Sequence, residues 1–235
     1  MDSYFLLIET SNKVCSASLC KPGGECINKE SFEPNSHSKY LTLYVEDLLS
    51  ELDNKKQQLL AIGVSAGPGS YTGLRIGVSV AKGLAYSLDI PLISAGTLET
   101  MVQTLLRVYP QQAGSADFLV PMIDARRMEV YTAVFDSQAN RITDIKNIIL
   151  DQTSFEDYLK DRNKVLFFGD GSEKFKDLVS NENASFIDGI YPLSRDMLPL
   201  VKAKFDKQEF EDVAYFEPFY LKPFIPTTKP KQLLQ

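Results

Sequence analysis

A single histidine, His37, serves all 235 residues of this chain. A metal site built from paired histidines is therefore excluded, and so is a Ser–His triad in which His37 takes no part. No G-x-S-x-G elbow accompanies it. His37 falls in PNSHSKY, which reads as a loop, so a solvent-facing position or a helix-entry hydrogen bond is expected. Cysteine is scarce as well: Cys15, Cys20 and Cys26 are odd in number and form no C-x-x-C pair. Such spacing supports neither a disulfide framework nor a zinc site, and buried or half-buried thiols are expected. No apolar run reaches the roughly 18 residues of a membrane span. The start, MDSYFLLIE, lacks a basic flank and closes on Glu9, so it reads as a strand rather than a signal peptide. A cytoplasmic protein is the expectation. Basic charge is in deficit too, the formal net charge being −6, which argues against unaided nucleic-acid binding. Only Lys222, Lys229 and Lys231 give the tail a basic character.

Against these absences stands one rich stretch, SAGPGSYTGLRIGVSVAKG, at 65–83. An apolar strand at 60–65 runs into a glycine-rich turn and then into a helix. Gly67, Gly69 and Gly73 permit close approach of main-chain amides to an oxyanion, and a helix start adds partial positive charge. The spacing excludes two common motifs. A nucleotide P-loop needs Lys and Ser or Thr after its last glycine, where this chain has Leu74 and Arg75. The dinucleotide fingerprint needs a shorter final gap. Gly67, Gly69, Ser70 and Thr72, with Glu9, remain as candidates for oxyanion or nucleotide binding; a tight strand-to-helix turn with no ligand is the competing reading.

The chain also reads as one pattern used twice. A strand at 4–9 closes on Glu9 and a polar turn; strands at 14–20 and 25–32 complete a meander. A helix follows with Leu41, Tyr44, Val45, Leu48, Leu49 and Leu52 on one face, then the strand, glycine turn and helix above. After a turn-rich loop at 110–115, a strand at 118–123 ends on Asp124, strands at 128–135 and 142–150 follow, and Thr153 with Glu156 forms a capping box. A strand at 165–168, the turn Gly169-Asp170-Gly171-Ser172 and a short helix close the second copy. This order resembles the α/β actin-like ATPase (ASKHA) fold: two ribonuclease-H-like lobes of mixed sheets flanked by helices. The lobes are placed at 1–108 and 109–235, with a helix at 194–206 that packs back on the first lobe and a flexible tail at 226–235.

Five segments carry a more specific resemblance: LLIETSNKVCSASL, SHSKYLTLYVEDLL, GPGSYTGLRIG with AKGLA, IDARRMEVY and EPFYLK. Through them the chain resembles the glycoprotease-like TsaB (YeaZ) family of bacterial threonylcarbamoyladenosine (t6A) synthesis. The resemblance implies a non-catalytic subunit that binds and activates the catalytic subunit TsaD for modification of the adenosine beside the anticodon. It further implies assembly with the small ATPase TsaE, a homodimer when TsaD is absent, and tRNA contact only through the complex. TsaD-like enzymes carry two metal-binding histidines four residues apart on the helix after this segment; here Thr97 and Met101 stand in those places, a poor ligand pair. No metal and no tightly bound cofactor are expected, with weak ATP or ADP binding confined to the partner interface. Glu9 stands where active actin-like ATPases have aspartate, and is read as capping its own turn. Asp124 holds the matching place in the second copy, with Arg126 and Arg127 as ion-pair candidates. A free-standing actin-like ATPase or kinase is the alternative, and a metallopeptidase a remoter one.

The helix at 73–88 carries Gly73, Gly77, Ala81 and Ala85 at intervals of four, and only Arg75 and Lys82 are charged. A helix so apolar must be covered on more than one side. Two covers are open: the sheet and neighbouring helix of the same chain, or a second subunit as well. The resemblance favours a subunit interface made by Tyr40, Leu41, Tyr44, Val45 and Leu48 with Leu74, Gly77, Val78, Ala81 and Ala85.

Overall fold

The computed structural model describes residues 2–34, 36–54 and 58–222. Lys229, Lys231 and the tail at 226–235 lie outside the described residues. Strand β1 (Tyr4–Glu9) pairs antiparallel with β2 (Cys15–Cys20), which pairs antiparallel with β3 (Cys26–Ser31). Helix α1 (Ser36–Ser50) leads to β4 (Leu59–Gly67), and α2 (Tyr71–Leu88) leads to β5 (Leu92–Gly96). Both of these strands run parallel to β1, giving the order β3-β2-β1-β4-β5. Residues 5–8 are a continuous apolar run because both faces of the sheet are covered. Leu6 and Ile8 face Leu41, Leu48, Val78 and Ala81 of α1 and α2. Phe5 and Leu7, pointing the other way, meet Met197, Leu198 and Val201.

Helix α3 (Thr97–Val108) and the short α4 (Pro110–Gly114) lead to a second sheet. Its strands are β6 (Phe118–Asp124), β7 (Glu129–Thr132), β8 (Phe135–Asp136), β9 (Lys146–Ile149), β10 (Val165–Phe168) and β11 (Ala184–Ile187). The order is β11-β10-β6-β7-β9, with β8 pairing beside β6. Leu98, Met101, Val102 and Leu105 of α3 cover one face with Ile123 and Phe168. Phe175 of α6 (Ser172–Lys176) packs on the other with Phe167, and Leu159 of α5 (Glu156–Leu159) joins them. The strand-turn-meander-helix-strand pattern thus occurs twice, as its residue order led one to expect.

Four local expectations need correction. The strand foreseen at 128–135 breaks after Thr132, because Met122 pairs with Thr132 whereas Leu119 pairs with Phe135. The strand foreseen at 142–150 shrinks to Lys146–Ile149. The capping box fails: Thr153 donates its main-chain N–H to Asp151, and α5 begins after Phe155 in left-handed conformation (φ 65°). Cys20 and Cys26 are not free thiols but a disulfide. Antiparallel register sets them directly opposite, which spacing along the chain does not reveal; Cys15 stays free and buried.

A 3-10 turn (Ser194–Met197) and α7 (Leu198–Asp206) lie on the first sheet, and the following segment stays there. Glu211 forms a bridge with Leu92, Val213 and Phe216 join the α1–α2 core, and Phe219 N–H donates to Ala66 O at 2.7 Å. Lys82 Nζ donates to Ala214 O and Phe216 O at 3.1 and 3.0 Å. The helix at 194–206 thus packs back on the first lobe as expected, and the apolar side chains of 213–216 follow it into the first core. Among the described residues no helix is long and apolar enough to cross a membrane.

Candidate functional site

The β1–β2 turn and the start of α2 meet face to face. Strand β4 ends at Gly67 with φ 104°, a left-handed conformation natural only to glycine. Ser70 then caps α2, its Oγ accepting from Gly73 N–H at 3.2 Å. The Ser70 N–H donates to Ser11 O at 2.6 Å. A Cβ on Gly69 would stand 2.2 Å from Ser11 O, one on Gly73 2.1 Å from Thr10 O, and one on Gly77 2.2 Å from Thr10 Oγ1. The first two glycines therefore admit carbonyl oxygens, as an oxyanion cradle does, but those oxygens are the chain's own. Thr72 points to solvent.

Glu9 is fully buried at the end of β1. Its Oε1 accepts the Ser11 N–H at 2.5 Å, the turn-capping geometry, while Oε2 is buried without a hydrogen bond. Burial pushes this carboxyl up to about 7, with hydrogen bonding by Ser11 pulling the other way. The Cys15 thiol is pushed up to about 12 by burial and by the charge of Glu9. Thr10 Oγ1, Ser11 Oγ and Asn12 Nδ2 are likewise buried and unpartnered. The run Glu-Thr-Ser-Asn at the end of an apolar strand was the available sequence signal for this buried polar turn, and only Glu9 was drawn from it. Of the two expectations for His37 the helix-entry hydrogen bond holds: it is the second residue of α1, half-buried, and burial holds its imidazole below the usual range despite hydrogen bonding to the Asn12 and Val14 main chain.

Thr97 and Met101 are both fully buried. A Cβ on Gly169 would meet Met101 Cε at 2.4 Å, so the thioether fills the space beside that glycine. At the second acidic turn, Asp124 accepts from the main-chain N–H of Arg126 at 2.6 Å and from Lys174 Nζ, so neither arginine guanidinium is its partner. Asp170 accepts from Asp124 N–H, and burial raises its carboxyl.

The proposed interface list needs the largest correction. Leu41, Leu48, Leu74 and Ala81 are 0% exposed, Ala85 1%, and Val45 and Val78 5%. Gly77 is buried against Thr10. These side chains make up the core between the helices and the first sheet and have no surface left for another molecule. The small-residue ridge is spent within the chain. Tyr40 and Tyr44 are half-buried, with rings stacked at 5.7 Å. Among the residues that α1 and α2 present outward are Leu43, 52% exposed, Tyr86, 82% exposed, and Arg75, Ser79 and Gly83, with Ile76 and Val80 half-exposed.

Residues 34–234 match the family of TsaD, tRNA N6-adenosine threonylcarbamoyltransferase. The tRNA threonylcarbamoyladenosine biosynthesis protein TsaB of Escherichia coli (strain K12) is 30% identical over 92% of this chain and 94% of its own length. The protein of that name from Bacillus subtilis (strain 168) is 32% identical over 75% of each. The solved structure of YeaZ from Pseudomonas aeruginosa superposes with a TM-score of 0.79 at 24% identity, covering 93% of this chain and 100% of that one. That likeness shows that the chain shares the α/β fold of that protein.

Proposed function

The chain belongs to the tRNA N6-adenosine threonylcarbamoyltransferase family and groups with its TsaB (YeaZ) members, and from that premise we propose that it is a non-catalytic subunit of t6A biosynthesis. In this reading it docks on TsaD, favours that subunit's productive conformation by its differential affinity, and leaves the chemistry to it. TsaE and tRNA join the same assembly, and a homodimer forms when TsaD is absent.

One observation carries the reading. Thr97 and Met101, which the resemblance sets at the places of the metal-binding histidines of TsaD-like enzymes, are both enclosed in the core. A hydroxyl and a thioether sealed from solvent offer neither charge nor access to a hard or borderline cation. The glycine turn supports the same view, since the Ser70 and Gly73 amides already donate to Ser11 O and Ser70 Oγ. The isolated chain is then not expected to hold a nucleotide; a weak ATP or ADP site completed by the partner subunit is the remaining place for one.

Docking falls to the outward face of α1 and α2, where Gly83 has open space above it, Ile76, Val80 and Tyr86 share its side of α2 by helical spacing, and Leu43 is exposed on α1. A glycine at the crest of an exposed helix face lets a partner helix approach closely. The deciding experiment is depletion of the chain from its native cell, followed by assay of t6A in tRNA. Loss of the modified base, restored by the wild-type chain, is expected; unaltered t6A removes the proposal. Turnover of ATP by the pure chain, abolished by Gly69→Val, would replace it with the free-standing ATPase reading.

A further inference from the structure

A cavity of about 810 Å³ lies away from both acidic turns. Its floor is the carboxyl end of the first sheet: Ala66 and Gly67 of β4, with Ser94 and Gly96 of β5. Helix α7 forms one wall, through Leu200 and Ala203. The loop at 141–145 of the second sheet forms the other, anchored by Arg141 Nη1 to Glu99 Oε1 at 2.7 Å. Crevices outside the carboxyl ends of strands, and between structural units, are where α/β proteins hold ligands, and this volume suits a compact organic molecule.

The floor is also an open sheet edge. β5 is the terminal strand, and among the described residues the one main-chain pairing on its outer side is with Glu211, whose N–H donates to Leu92 O at 2.9 Å. Alternate residues of a strand turn their main-chain groups to the same side, so Ser94 presents its N–H and C=O on that edge too. The chain's own pairing stops short of it. Glu209 N–H turns away to Lys204 O and Phe210 N–H to Gln208 O. Beside this edge lie apolar Ile145, Pro199 and Leu200, and charges of both signs without an ion-pair partner among the described residues: Lys207, Asp144 and Glu209. Lys204 is engaged, donating to Ser94 Oγ at 3.1 Å.

An edge strand offers one donor and one acceptor to an extended main chain, apolar walls receive its side chains, and opposite charges receive its termini. We propose that this cavity binds a short apolar peptide with free termini, in extended form along β5. Its main chain pairs at Ser94, its carboxylate meets Lys207, and its ammonium meets Asp144 or Glu209. The site is independent of the docking face on α1 and α2, so its fate does not decide that of the proposed function.

The test uses the isotope-labelled full chain titrated with the dipeptide Leu-Leu, followed by amide NMR. Saturable shifts at Ser94, Gly96 and Ala203 are expected. N-acetyl-Leu-Leu-amide, which lacks both charges, is expected to bind about tenfold more weakly or worse, equivalent to ~1.4 kcal/mol. Ala203→Phe fills the cavity and abolishes binding. Lys207→Ala lies on the exposed rim, leaves folding intact, and weakens the free dipeptide but not the blocked one. The proposal is overturned by the absence of saturable shifts at millimolar dipeptide. Equal binding of the blocked form overturns it too, as does binding that is indifferent to Lys207→Ala.

Discussion

Arg107 grips Asp196 with two nitrogens, Nε to Oδ1 at 2.6 Å and Nη2 to Oδ2 at 2.9 Å. The two residues lie 89 positions apart, and the pair ties α3 to the 3-10 turn that caps the first sheet. Thr104 Oγ1 adds a third hydrogen bond to Oδ2 at 2.8 Å. The carboxylate is 4% exposed and the guanidinium 42%, so the enclosed partner is the acid.

Asp196→Ala is accordingly expected to cost more than Arg107→Ala would in open solvent, about 3 kcal/mol, because it strips Thr104 and the guanidinium of their acceptor at once. Urea denaturation of the two variants measures it. A loss below about 1 kcal/mol for Asp196→Ala, the range of a surface pair, would show the bond to be unimportant.

Gly73 and Gly83 sit on the same helix and should respond oppositely to alanine. At Gly73 the new Cβ would stand 2.1 Å from Thr10 O, a main-chain atom that cannot yield without moving the turn. The variant should lose more than the ~1 kcal/mol that alanine gains in helix propensity. At Gly83 nothing lies within 4 Å, and alanine should stabilise by up to ~1 kcal/mol. Thermal melts that rank the two variants the other way would contradict the described turn.

Glu9 sets a pH dependence. Its carboxyl is raised from 4.5 to about 7 by burial, so the folded chain holds a proton that the unfolded chain releases. The stability it contributes is complete below about 4.5, declines as pH climbs, and is gone above about 7. Glu9→Gln removes this dependence: wild type should weaken relative to it across that window by about 3 kcal/mol. Parallel stability profiles for the two proteins would refute a buried, proton-holding Glu9.

Gly83→Arg tests docking without disturbing the core, because its side chain enters open space on the outer face of α2. The variant should be at least as stable as wild type and fail to co-purify with TsaD. Val78→Glu and Ala81→Arg are unsuitable for this purpose: both side chains are enclosed, and a charge there unfolds the first lobe. Native-level capture by Gly83→Arg would move the interface elsewhere.

Much of the fold was legible because burial writes itself into periodicity. The apolar run 5–8, the helical face through Leu41, Val45 and Leu48, and the switch from strand to helix around Gly67 are local signals. Most of the residues expected at an interface are core for a related reason. A stripe of Leu41, Val45, Val78 and Ala81 says that a face is covered, and says nothing of whether the cover belongs to the same chain. The disulfide was missed because Cys20 and Cys26 meet only through antiparallel register. The cavity beside β5 had no local signature at all, its lining being drawn from β4, β5, α7 and the loop at 141–145.

The order of residues by itself determined the twice-used α/β pattern and the glycine turn. Each is a matter of residue type and short-range spacing, which a linear string records in full. Only the three-dimensional packing decided that Ser11 and Thr10 fill the space above Gly69 and Gly73, and that α2 turns Gly83 and Tyr86 outward instead of Ala81. It also decided that residues 211–219 stay on the first sheet. Those outcomes depend on which surfaces, distant along the chain, exclude water together.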